Sequence, residues 1–195
     1  MSSDPQPWLI ESSRYVYECR PYMCLREDSV LLPTGARIPN YFVFEYPDWV
    51  SVLAVTRDER FVLIRQYRHG LRQVHYELPA GVADEGVSLL ENAQRELLEE
   101  TGFGGGQWQF YFRACANPGT HTNWCHLFLA TDVEPLQPPD SEPTEDLRVC
   151  LLTRNELLHA LRHEGMAQAI HAAALWRWLA EKGCPQEDNP PANLA

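Results

Sequence analysis

The stretch GVADEGVSLLENAQRELLEETGF, Gly81 to Phe103, decides the reading of this chain. Within it Leu89, Leu90, Ala93 and Leu97 recur at the three-to-four spacing of one apolar helical face, which predicts a helix over 88–101. Ser88 followed three residues later by Glu91 is a capping box, in which each side chain satisfies a backbone donor that the helix start leaves open. Gly102 supplies the left-handed stop. Arg95, Glu96, Glu99 and Glu100 lie three and four apart, so three carboxylates share one side of the helix. Such a cluster repels itself, and three arrangements are open: a solvated face, a face paired with arginines, or a site for a hard cation, which prefers carboxylate oxygen. Upstream, ELPAG from Glu77 to Gly81 ends a strand in a turn and leaves the backbone carbonyl of Ala80 or Gly81 near the helix start. A carbonyl with carboxylates suits a Mg²⁺ shell.

Outward from this segment the pattern changes from helical to alternating. Between Tyr15 and Arg68 the short apolar runs YVYE, SVLL, YFVFEY, VSVLAV and FVLIRQY, punctuated by PTG and RDER, predict successive strands and hairpins. Beyond the helix, strands are expected over 107–114, 124–131 and 147–152, then helices near 154–164 and 167–182, closed by Gly165 and Gly183. Strands mixed with helices in this order define an α/β chain. The segment LLTR, 151–154, reads as a strand end followed by a helix cap. From Asp132 to Asp146 the run DVEPLQPPDSEPTED holds four prolines and six acidic residues, which predicts an exposed loop able to swing over whatever the helix binds. Residues 1–7 read as a loose lead-in and 184–195 as a tail.

A chain of 195 residues with 45% hydrophobic and 22% charged composition is one medium domain, or a domain with an arm. No apolar run approaches the roughly 18 residues that span a bilayer, so no membrane partner is expected. The formal net charge of −11 argues against nucleic acid as a partner, because that binding depends on cationic side chains displacing counterions. Of the 16 basic residues only Lys182 is a lysine; the rest are guanidinium groups suited to bidentate contacts with phosphate or carboxylate. Six cysteines without a C-x-x-C pair exclude the usual zinc spacings, and with no secretory signal pattern the chain is expected to be cytoplasmic with reduced thiols.

Residues 81–103 closely resemble the Nudix box of the Nudix hydrolase superfamily: G, five residues, E, seven residues, then R-E-U-x-E-E-x-G-U with U apolar. Arg95 to Phe103 fill the second half without exception. At the first glutamate of the pattern this chain has Val87, with Glu85 two residues earlier and Glu91 four later. In the family that glutamate mainly supports the loop and helix, so the departure implies weakened loop support rather than a dead site. The run VLIRQYR from Val62 to Arg68, ELPAG, and Asn117-Pro118-Gly119 are similar to the ADP-ribose and nucleoside-diphosphate-sugar pyrophosphatase branch, where a proline about fifteen residues past the box marks the substrate class. Pro118 stands there.

The resemblance implies a Nudix α/β/α sandwich with a mixed sheet over 51–183, preceded by an antiparallel N-terminal β arm over 8–50 that pairs two subunits as a homodimer. It implies hydrolysis of ADP-ribose or a related nucleoside-diphosphate sugar with Mg²⁺, or Mn²⁺, as cofactor. Glu96, Glu99 and Glu100 would be metal ligands, with the Ala80 carbonyl an additional one. Arg95 would hold the helix geometry by pairing with a carboxylate, and Glu142 or Glu145 on the acidic loop would act as general base. Arg65, Arg68 and Arg72 would contact phosphate or sugar. A rival of another class is a Nudix-fold module that binds a nucleotide without cleaving it.

Overall fold

In the computed structural model, which describes residues 4–140, 144, 146–164 and 166–183, the chain builds two sheets. The first is antiparallel and three-stranded, from β1 (Leu9–Cys19), β2 (Met23–Leu31) and β3 (Arg37–Glu45), with β2 central. The second has eight strands. Its spine comprises β4 (Trp49–Thr56), β5 (Phe61–Arg68), β10 (Cys125–Pro135) and β11 (Leu147–Leu152). Shorter or flanking strands join it: β6 (Gln73–Glu77) on β5, β7 (Ala80–Val82) on β4, and β8 (Phe103–Gly104) and β9 (Gln107–Ala114) on β10. The β4–β10 pair is parallel and the other pairings are antiparallel, so the sheet is mixed.

Strand periodicity explains the two-sided core. On β4, Val50, Val52 and Ala54 face helix α1 (Leu89–Thr101) with Ala93 and Leu97, whereas Leu53 and Val55 face the opposite way. That second side is covered by α2 (Arg154–His159), a π-helical turn at Ala160–Glu164, and α3 (Ala169–Glu181), through Leu157, Ile170, Leu175 and Trp178. The expected α/β/α sandwich is therefore what the chain forms. Thr153 caps α2 with a second capping box to Glu156, as the LLTR reading anticipated.

Two differences from the expected elements have local causes. Strand β10 runs on to Pro135 instead of ending near 131, because a bulge at Asp132, with φ of 59°, resets the alternation and returns Val133 to the α1 side beside Phe128 and Ala130. The helix expected over 154–164 is α-helical only to His159 before widening into the π turn. The three-stranded sheet is joined to the second through the 119–122 turn. Phe44 N–H donates to the Thr120 carbonyl at 2.7 Å, Thr122 N–H donates to the Phe44 carbonyl at 3.2 Å, and the Tyr41 hydroxyl donates to the Gly119 carbonyl. Glu142, Glu145, Gly165 and the 184–195 tail lie outside the described residues.

Candidate active site

Helix α1 starts on the Ser88 and Glu91 capping box and stops at Gly102, whose left-handed φ of 74° lets its N–H reach the Leu98 carbonyl at 2.8 Å. Between those caps its apolar side is buried against the sheet, so its polar side is turned toward the segment 77–84. β7 pairs with β4 from Ser51/Ala80 to Trp49/Val82, which draws Ala80 and Gly81 alongside the helix. Contact there is close. A Cβ at Gly81 would overlap the Glu96 carboxylate where it lies, so glycine lets that carboxylate rest against the turn. Ala80 N–H donates to Glu100 Oε2 at 3.0 Å, and both Glu96 and Glu100 are buried.

Arg95 organises the outer carboxylates. Its Nη1 donates to Glu99 Oε2 at 2.9 Å, and its Nη2 lies 3.0 Å from both Asp84 Oδ2 and Glu96 Oε1. Burial works against the charge on this guanidinium, but Glu96, Glu99 and Asp84 outweigh it and hold its pKa above the ordinary arginine value. Nearby, Arg68 makes a bidentate pair with buried Glu77, Nε to Oε1 at 2.7 Å and Nη2 to Oε2 at 2.6 Å. The hydrogen bond that Arg68 donates to Glu77 leads the causes that raise the Arg68 pKa, and Glu100 adds attraction.

The acidic loop is tied to the far end of the helix by its backbone. Leu136 and Gln137 N–H groups donate to the Gly102 carbonyl at 2.8 and 3.3 Å, and Asp140 N–H donates to the Glu99 carbonyl at 2.8 Å. Asp140 thereby joins Asp84, Glu96 and Glu99 around a cleft of about 450 Å³, with Gly81, Val82 and Arg95 completing its lining. Four carboxylates face one guanidinium, an excess of negative charge that favours a cation. Among the described residues no three His, Cys, Asp or Glu side chains already converge as a ligand set. The donors are held by Arg95 and the Ala80 N–H instead. Their chemistry, oxygen alone in a glycine-made cradle, fits a hard divalent cation and not a soft one.

The remaining expected site residues are dispersed. On β5, Val62 packs on the α1 side and Leu63 on the other, and the β5–β6 register is unbroken from Ile64 to Arg68. Arg68 therefore faces the carboxylates, while Arg65 points to the opposite face and lies over the Tyr76 ring at 4.7 Å. Arg65 and Arg68 are not brought together. Arg72 is an exposed turn residue at the β5–β6 hairpin, with φ of 55°. Pro118 sits in the 117–120 turn that docks β3. Sequence reasoning missed Glu77, Asp84, Asn92 and Asp140. Glu77 was legible only as a strand end, and its partner nine residues earlier is set by the hairpin. His171 is a core residue behind the site: its Nδ1 accepts the Leu78 N–H at 3.2 Å, and burial, with Arg68 adding to it, pushes its pKa down to about 3.

A sandwich with an acidic helix face clasped by a glycine turn defines a class, and comparison with known proteins agrees: the NUDIX domain model matches residues 46–173, and the chain belongs to the Nudix hydrolase family. The nucleoside diphosphate sugar hydrolase N-terminal domain matches residues 8–44, which places the arm with that branch. Similar proteins include the methanol dehydrogenase activator of Bacillus methanolicus, 34% identical over 54% of this chain and 57% of the relative. The ADP-ribose pyrophosphatase of Bacillus subtilis (strain 168) is 32% identical over 56% of this chain and 59% of the relative. The ADP-sugar pyrophosphatase of Mus musculus is 32% identical over 63% and 61%. The chain spans about three fifths of the length of these curated relatives. The crystal structure of an ADP compounds hydrolase superposes with a TM-score of 0.78 at 24% identity, over 93% of this chain and 99% of that one, a likeness of fold. Among the described residues no helix is long and apolar enough to cross a membrane.

Proposed function

We propose that the protein hydrolyses the diphosphate bond of ADP-ribose or a related nucleoside-diphosphate sugar, with Mg²⁺ or alternatively Mn²⁺, releasing a nucleoside monophosphate and a sugar phosphate. The observation that carries this reading is the acidic face of α1 held against Ala80 and Gly81 at a cleft of about 450 Å³. The names of the relatives support the substrate class. When bound, a divalent cation polarises phosphoryl oxygens and lowers the pKa of its water.

The chain supplies the rest. Glu96, Glu99 and Glu100 offer the ligating oxygens, with the Ala80 carbonyl as a further donor. Arg95 orients Glu96 and Glu99 through its ion pairs. Arg68, anchored on Glu77 yet about half exposed, is placed to meet a phosphate from the adjoining strand. Arg65 is assigned no contact, because it lies on the other face. Glu142 or Glu145, outside the described residues, takes the proton of the attacking water; the segment preceding them is held to α1 through the Gly102 and Glu99 carbonyls as far as Asp140. Pro118, in the turn under β3, marks the substrate class. The arm pairs two subunits, since every residue of β1 is exposed in the single chain, including Leu9, Ile10, Tyr15 and Tyr17.

A panel of nucleoside-diphosphate derivatives tested with Mg²⁺ and Mn²⁺, reading phosphate after phosphatase treatment, should rank ADP-ribose first and nucleoside-diphosphate hexoses next. Binding of ADP-ribose without cleavage of any panel member would favour the binding-module reading. In the same assay one of Glu142→Gln and Glu145→Gln should lose about 10²-fold in turnover and its neighbour little. Small, equal losses in both, and in the double variant, place the base elsewhere.

A further inference from the structure

We propose that Asn92 is a positioning residue for the metal-binding face, tying the 84–88 loop to Arg95; the inference rests on the metal-dependent reading of the site. Asn92 is 0% exposed, although it occupies a helix position where a small apolar residue would bury at less cost. Its amide is fully used. Oδ1 accepts from the Asp84 N–H at 3.1 Å and from Arg95 Nη2 at 3.2 Å, while Nδ2 donates to the Ser88 carbonyl at 3.1 Å and the Val87 carbonyl at 3.4 Å. The opposite flip would set an NH₂ group against two donors and an oxygen against two carbonyls, so the network admits one orientation.

What this amide joins is the site itself. Through Asp84 and Val87 it pins both ends of the 84–88 loop, and through Arg95 it steadies the guanidinium that holds Asp84, Glu96 and Glu99. The neighbouring capping box takes the donors of the same turn, Glu91 accepting from the Ser88 N–H and hydroxyl, while Asn92 takes the Val87 and Ser88 carbonyls and alone of the two links them to Asp84 and Arg95 among the hydrogen bonds described. Val87 faces outward, 44% exposed, and enters the network by its backbone alone, its carbonyl accepting from Asn92 and its N–H donating to the Asp84 carbonyl at 3.4 Å. A helix side chain thus reaches back to tie the loop.

The test is Mn²⁺ binding by calorimetry on the full chain, together with the exchange rate of the Asp84 amide by NMR. Asn92→Ala should keep the fold and weaken Mn²⁺ about tenfold, the scale seen when a partner behind a metal ligand is removed, while Asp84 N–H exchange accelerates. Asn92→Asp retains the oxygen that Asp84 and Arg95 need but sets its second oxygen against the Val87 and Ser88 carbonyls, so it should melt lower than wild type yet bind Mn²⁺ more tightly than Asn92→Ala; it also serves if the alanine variant fails to fold. A purely structural role would lower the melting temperature of both variants and leave Mn²⁺ affinity unchanged. Affinity within twofold of wild type in Asn92→Ala, with Asp84 still protected, overturns the inference. Because neither readout needs turnover, the positioning role can stand even if no nucleoside-diphosphate sugar is cleaved.

Discussion

Two strands of this chain, β1 and β4, are treated in opposite ways by the fold. Six of the eight residues of β4 are buried, packed on one side by α1 and on the other by α3, whereas all eleven residues of β1 are exposed. β4 closes a core that the chain completes by itself, and the turn it holds, Ala80 to Val82, presents the carboxylate face of α1. β1 pairs with β2 but closes no core of its own. On the function proposed above, chemistry is housed in the half that completes its own core, and association in the half that leaves its apolar side chains outside.

The largest effect that would sharpen this contrast is on catalysis. Glu100→Gln should lower turnover by about 10³-fold at saturating Mg²⁺ with an unchanged fold, since it removes charge from the polar side of α1 and leaves Ala93 and Leu97 packed. No substitution on β1 should approach that loss. Near wild-type turnover in the variant breaks the assignment. Next comes stability: Leu53→Ala on β4 should destabilise by about 2–5 kcal/mol in denaturant titration. Ile10→Ser on β1 should change the monomer by less than about 0.5 kcal/mol, yet shift sedimentation from dimer toward monomer. A wild-type chain that sediments as a monomer at micromolar concentration, fully active, removes the associative half of the contrast.

A smaller effect concerns pH. His171 is neutral in the fold because burial holds its pKa at about 3, against 6.5 when exposed, so below pH 6.5 the unfolded chain binds a proton that the folded one refuses. Its contribution is intact above pH 6.5 and is lost as pH falls toward 3, at up to about 1.4 kcal/mol per pH unit. His171→Gln should flatten the acid limb of a melting-temperature profile measured from pH 7 to 4.5; an unchanged limb means that the histidine titrates normally. Smallest is Val87→Glu, at an exposed position, which should leave turnover unchanged or slightly raised. Abolished turnover would show that the 84–88 loop does not tolerate a charge there.

Much of the fold was readable from pattern, and the exceptions share a cause. The capped helix, the long strands and the paired helices announce themselves through periodicity and caps. β7 and β8 are three and two residues long, too short for a period to show. β10 hides its last turn of alternation behind the Asp132 bulge. Site residues divide in the same manner. Glu96, Glu99 and Glu100 lie in one helical segment and were visible through spacing, while the Arg68–Glu77 pair depends on hairpin register and the separation of Arg65 from Arg68 on pleat parity. Asp140 reaches the cleft through backbone hydrogen bonds, which no side chain advertises. Asn92 looked like an ordinary polar helix residue because its partners are mostly backbone groups of a preceding loop.

The central claim, that the acidic face of α1 makes this chain a metal-dependent diphosphate hydrolase, is met most directly by ³¹P NMR of ADP-ribose with the chelator-treated protein before and after Mg²⁺ is added back. The account predicts no change until Mg²⁺ is restored, then decay of the diphosphate resonances as those of AMP and a ribose phosphate grow in equal amounts. Diphosphate signals that persist with Mg²⁺, or that decay equally well without it, would contradict the account.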